Sequence, residues 1–450
     1  MFLARLLVLF SLVCISCAHS SFEQKQLKHA LDFATSNRLE LEILLQHYTY
    51  DSLKLEAAKF LIRNMPHCYS YQQGGEMDSV KRVRTYYSPF GQIDQTYARR
   101  WGHYTYRNLL KIYDAHIITA EYLIDNIDRA FDNWQKRPWN RSLSFEDFCE
   151  YLLPYRIGDE PLEEWRELYE KKYGYLLDSI YKGSDVVEAA NLVSRHLQEP
   201  VFIYCEDFEL PHIGPRYLFS HRYGSCVDAA DIVTYAFRAV GIPCMEDTDA
   251  RGGHVWNVVR DTTGRDVPIW YIASEAVRGS RDTGGYKRGK VYRPMYGFQE
   301  EKAAHLGDDW KSMPLLFYHP YMKDVSYAYY PDTLRILTGI PDDEVCYLAH
   351  FHEAHWWSCA CARSASGKME IPNLESELVY LPMKYTKGNY YPSGFPFWFA
   401  GGEINTFLPD WEKTVKVRLY RKYPVYGWLR SFMGHVVGGT FEGSMTKNFV

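Results

Sequence analysis

The spacing of hydrophobic residues changes period along the chain. From Phe22 to about residue 180 they recur at intervals of three and four, the signature of helix faces. Leu27, Ala30, Leu31, Phe33, Leu39, Leu41 and Leu44 make one stripe, interrupted at Thr35-Ser36-Asn37. Leu53–Ile62 makes a second, ended by Asn64-Met65-Pro66, and Leu109–Trp134 a longer third. Ser144, with Asp147 three residues on, reads as a helix start. So does Asp159-Glu160-Pro161, where acids and a proline suit a first turn. Farther along, Ala229–Val240 predicts an amphipathic helix buried on one side and stopped by Gly241-Ile242-Pro243. A strand starting at Cys244-Met245, a polar turn over Asp247–Gly253 and an alternating strand from His254 follow. From about Asp324 the period falls to two: Val325–Tyr330, Val345–Phe351, Leu378–Tyr385, Phe395–Phe399, Glu403-Ile404 and Val415–Tyr420 read as strands of an antiparallel sandwich.

The pattern is that of an α+β multidomain chain. Residues 1–20 form a leader, 21–180 a mainly helical region, 181–290 a mixed core, 291–323 a linker without clear periodicity, 324–424 a β-sandwich and 425–450 a glycine-rich tail.

With 46% hydrophobic residues in a chain of 450, there is ample material for buried cores. A net charge of −5 and the lack of a long basic run exclude nucleic acid as a partner. Arg5 followed by the apolar Leu6–Ile15 is a signal sequence, too short to span a membrane. Cys14-Ile15-Ser16-Cys17 resembles a bacterial lipobox with a lipid on Cys17, while Ser16-Cys17-Ala18 also fits ordinary secretory cleavage. Either route exports the chain, and membrane association is expected only through that lipid. Eight cysteines beyond the leader lack the paired spacings of a disulfide framework, so their pairing stays open. His350, His352, His355, Cys359 and Cys361 match no zinc spacing, and strand alternation divides them between faces. No metal and no organic cofactor is expected. Arg156 with Asp159 reads as a surface ion pair steadying a turn, ahead of a cleft border. Gly279–Lys290 reads as a flexible loop leaving the core.

The chemistry concentrates at Tyr223-Gly224-Ser225-Cys226-Val227-Asp228. A cysteine behind a Gly-Ser turn at a helix start sits where partial positive charge and unpaired N–H groups favour thiolate over thiol. His254, behind Gly252-Gly253 at the head of a strand, supplies a base. A lone buried cysteine is usually packing; the glycines, the histidine and the hairpin in register are what point to a site.

Together, G-S-C-x-D-x-A, R-A-x-G-I-P and G-H-x-W-N resemble the core of the transglutaminase-like superfamily of papain-like cysteine hydrolases, over about residues 180–290. The whole layout is more loosely similar to exported Gram-negative proteins that set such a core between a helical region and β-sandwich modules. The resemblance implies Cys226 as nucleophile, His254 as base, and an acid after the histidine strand to orient the imidazole. That position is held by Ser274 or Glu275, with Asp266 earlier in the turn; Glu275 is the expected third residue. The resemblance further implies acyl transfer at amide bonds of peptides or glycopeptides by an outer-membrane or periplasmic lipoprotein, or a secreted soluble protein. The alternative is an inactive surface protein that binds a glycan or peptide on the same scaffold. Oligomeric state is not legible.

Overall fold

A computed structural model describes residues 21–88, 93–101, 103–205, 208–270, 272, 274–280, 287–299, 313–337, 340–352, 355–410 and 412. The leader with Cys17, the expected strand Val415–Tyr420 and the glycine-rich tail lie outside the described residues.

The chain is mixed α and β with several antiparallel sheets. Its helical part comprises α1 (21–33), α2 (Arg38–His47), α3 (Ser52–Asn64), α4 (Glu76–Arg84), α5 (Gln95–Trp101), α6 (Ala120–Lys136), α7 (Phe145–Tyr151) and α8 (Arg166–Tyr175). An antiparallel pair, β1 (Tyr69–Tyr71) with β2 (Lys111–Tyr113), runs among them. Polar caps set several starts: Asp51 accepts from the Lys54 N–H, and Ser144 from that of Asp147. Leu41, Leu44, Leu61, Ile62, Leu123, Ile127 and Phe131 meet in one core beneath α1–α3, α6 and α7.

Two helix expectations shift. The Leu109–Trp134 stripe divides, because Lys111–Tyr113 pairs with β1 and the helix begins only after Thr119, whose hydroxyl accepts from the Tyr122 N–H. Asp159-Glu160-Pro161 opens no helix; α8 starts at Arg166. The two acids serve other N–H groups instead, Glu160 those of Ile157 and Gly158, Asp159 that of His212.

The mixed core contains α9 (Val186–His196), β3 (Ile203–Tyr204), α10 (Pro215–Ser220), β4 (Tyr223–Gly224), α11 (Cys226–Ala239), β5 (Cys244–Asp249), β6 (Val255–Arg260) and β7 (Asp266–Ile269). The segment expected as a linker contributes β8 (Val291–Pro294) and β9 (Met322–Asp324), completing an antiparallel sheet in the order β7-β6-β5-β8-β9. Strands this short carry too few residues for a period to show. One face of this sheet, through Val259, Val267 and Ile269, shares a core with α8, α9 and α11; Trp256, Val258, Trp270 and Val291 pack on the other.

Helix α11 departs from the one-sided burial that its stripe suggested. Every residue from Asp228 to Ala239 is buried, since helices cover the side away from the sheet. Four of its polar side chains find an internal partner: Arg84 for Asp228, His212 for Asp231, Glu246 for Thr234 and the Cys244 carbonyl for Arg238.

Beyond Val325 the chain is β-rich. Val325–Tyr330 is not a strand: Ser326–Ala328 is a 3-10 turn, entered as the Asp324 carboxylate accepts from the Ser326 N–H. There follow β10 (Leu334–Leu337), β11 (Val345–His352), β12 (His355–Arg363), β13 (Lys368–Ile371), β14 (Leu378–Thr386), β15 (Asn389–Pro392), β16 (Phe397–Ala400) and β17 (Glu403–Thr406). Antiparallel β12-β11-β14-β16-β17, with β15 on β14, make a six-stranded sheet. The β10–β13 pair shares a core with it, in which Leu334 and Ile371 meet Leu348, Tyr380 and Phe399.

Candidate active site

The sequence around Cys226 folds as a strand-to-helix turn. Tyr223-Gly224 pairs in parallel with Ile203-Tyr204, Ser225 caps the helix, and half-buried Cys226 is its first residue. The Asp228 carboxylate turns back to accept from the Ser225 N–H at 2.7 Å and is held from behind by Arg84 at 3.0 Å. This fold-back needs glycine at 224, because a Cβ there would stand 2.4 Å from Asp228.

Asn257 fixes the helix against the sheet. Its Nδ2 donates to the Ala230 carbonyl at 3.0 Å and to Thr234 Oγ1 at 2.9 Å. One helical turn and more beyond, Arg238 Nε donates to the carbonyl of Cys244, which pairs with Val259. Helix α11 therefore runs in the same direction as β6. Cys226 lies ~6 Å of helix rise before Ala230, and His254 ~10 Å of strand before Asn257. Both residues stand at the same end of the helix–sheet layer, but the His254 ring stacks with Trp256, which packs on the sheet face away from α11.

The approach to His254 is built by Asp249. Its carboxylate accepts from the Arg251 and Gly253 N–H groups and pairs with the Arg251 guanidinium at 2.7 Å. The His254 carbonyl accepts from Thr248 Oγ1. The imidazole stacks beside Trp256, centroids 5.9 Å apart. Burial, together with the Arg288 guanidinium, holds its pKa below the ordinary imidazole value, with Asp249 and Trp270 opposing. The ring is thus neutral near pH 7 and able to accept a proton. Arg288 itself lies over the Trp256 and Trp270 rings at 4.7 and 5.1 Å. The expected flexible loop is therefore anchored at its end, with the Arg288 and Gly289 N–H groups on the Glu375 carboxylate.

Two of the three candidates for an orienting group, Glu275 and Asp266, are engaged with arginines. Glu275 pairs with Arg195 at 2.7 Å, both side chains about half exposed. The Ser274 carbonyl accepts from Ser194 Oγ, which ties that segment to α9. Asp266 is locked into a buried cluster with Arg260, Arg293 and Tyr151. Glu275 and Asp266, held by these arginines, would orient the His254 imidazole only by leaving those pairs.

One buried pair escaped the sequence reading. His212 Nδ1 meets the Asp231 carboxylate of α11 at 2.9 and 3.1 Å. Burial opposes the charge, but the adjacent Asp231 keeps the imidazole pKa well above its ordinary value. The one available signal was a second acid, three residues after Asp228, in an otherwise apolar helix. Arg156 and Asp159 also differ from the expected surface pair. Arg156 is buried against Asp114 and Glu160, and both Arg156 and Asp159 line a cavity of about 480 Å³ that reaches Ser225, Val227 and Asp228.

Among the described residues no cysteine is in a disulfide, and no group of three or more His, Cys, Asp or Glu side chains is placed to hold a metal. His352 faces His355 across the β11–β12 pair, while Cys361 faces Tyr347 at the far end. No described helix is long and apolar enough to cross a membrane. Compared with family models, curated proteins and solved structures, the chain has no match in any of the three.

Proposed function

We propose that this chain is an exported, transglutaminase-like cysteine hydrolase or acyltransferase acting on amide bonds of peptides or glycopeptides. The reading is supported by Cys226 opening α11 and His254 preceding β6 at the same end of the layer, with the imidazole pKa lowered by burial. In the proposed reaction the Cys226 sulfur attacks an amide carbonyl and forms a thioester as the C–N bond breaks. His254 takes the thiol proton and gives it to the leaving amine. Water or a second amine then releases the acyl group and regenerates the thiol. The Cys226 N–H, at the helix start, is the candidate donor to the developing oxyanion.

The test is cleavage of a peptide library by the wild type and by Cys226→Ala. The proposal expects products from the wild type alone; equal turnover by the two, or none by the wild type, overturns it.

Two observations favour the second reading, a glycan- or peptide-binding surface protein on the same scaffold. Glu275 and Asp266 are each paired with arginines, and a row of aromatic side chains crosses one face of the six-stranded sheet. In that row Phe351 pairs with Trp356, and Trp398 with Val379; Phe351 and Trp398 are exposed.

A further inference from the structure

The cavity under the head of α11 has an unusual charge inventory. Arg156 is matched by Asp114 and Glu160, and His212 by Asp231. Three other carboxyls on the wall have no ion-pair partner among the described residues: Glu150, Asp159 and Glu246. Glu150 accepts from the Tyr296 and Gly297 N–H groups, and Asp159 from that of His212. Glu246 is only 7% exposed, and its one bonded oxygen takes the Thr234 hydroxyl at 2.7 Å. Against these three the wall offers one cation outside those pairs, Arg238, whose Nε is committed to the Cys244 carbonyl at 3.1 Å and whose charge acts on both Glu246 and Glu150.

Burial favours the protonated form of a carboxyl, and a further cation beside it favours the ionised form. Burial indeed pushes the Glu246 carboxyl up to about 8 and that of Glu150 to about 6. The remaining wall includes Val227, Met245 and Val255, which suit an aliphatic chain. We propose that this cavity binds an alkylammonium group, with the carbon chain against the apolar wall and the cation at Glu246 and Glu150. The proposal stands on the cavity's own charges and geometry, independently of any reaction at Cys226.

The probe is 1,5-diaminopentane, titrated into the full chain by calorimetry at neutral pH, with 1-pentanol as the uncharged comparison. The diamine is expected to bind in the millimolar range or tighter, and pentanol at least about tenfold more weakly. Glu246→Gln keeps the Thr234 hydrogen bond but cannot ionise, and should weaken diamine binding by about tenfold or more. Circular dichroism checks its folding, and Glu150→Gln takes its place if it fails to fold. Cys226→Ala should bind as the wild type does. Absence of diamine binding, equal binding of diamine and pentanol, or undiminished binding by the glutamine variant overturns the proposal. A negative library cleavage result leaves these measurements unaffected, so the two proposals fail separately.

Discussion

Replacing Asn257 with alanine tests how the candidate site is held. The side chain is 2% exposed and supplies two buried hydrogen bonds from β6 to α11, at 3.0 and 2.9 Å. Each is worth about 1 kcal/mol, and the void left by the amide adds to that, so Asn257→Ala should cost about 2–3 kcal/mol. Urea unfolding followed by tryptophan fluorescence measures this loss. A second consequence is local. With the clamp gone, α11 shifts on the sheet, and a displacement of about 1 Å in a reacting pair lowers rates by up to about 100-fold. Alkylation of Cys226 should therefore slow by about tenfold or more in conditions where the variant remains folded. A stability change below about 0.5 kcal/mol, together with an unchanged alkylation rate, would refute the assignment of Asn257 as the clamp.

Glu275→Gln should leave the reactivity of Cys226 within about threefold of wild type and cost at most about 1 kcal/mol, because its ion pair with Arg195 is solvent-exposed; alkylation kinetics and thermal unfolding check both. Glu246 gives a pH-dependent prediction. Its folded-state pKa, raised to about 8 chiefly by burial, exceeds the unfolded value of about 4.3. Its contribution to stability is therefore complete below the unfolded value and is lost as pH rises through about 8. Unfolding free energies measured from pH 5 to 9 should fall more steeply for wild type than for Glu246→Gln; parallel curves would contradict a protonated Glu246.

What could be read from the sequence depended on whether its cause was local. Ser144 and the Gly224-Ser225 turn were legible because a cap or a close approach is decided within a few residues. The strands Val345–Phe351 and Leu378–Tyr385 were legible because alternation is long enough there to register a half-buried sheet, and they appear as β11 and β14. Strands β2, β8 and β9 span three or four residues and exist through their partners, which no short window displays. The all-round burial of α11 was hidden for a related reason: Asp228, Asp231 and Arg238 look like a solvated face until Arg84, His212 and the Cys244 carbonyl are brought to them from elsewhere in the chain. At the candidate site, Cys226 and His254 stood out by their glycine neighbours, whereas Arg288 reaches the Trp256 and Trp270 rings from a distant loop that no local pattern flags.

The most direct measurement is the rate at which iodoacetamide modifies Cys226 near neutral pH, in wild type and in His254→Ala. Cys68 and Cys244 provide internal controls, since burial pushes both thiols up to about 12. The account predicts rapid, selective modification of Cys226 that is abolished in His254→Ala. Slow modification in the wild type, or a rate indifferent to His254, would contradict it.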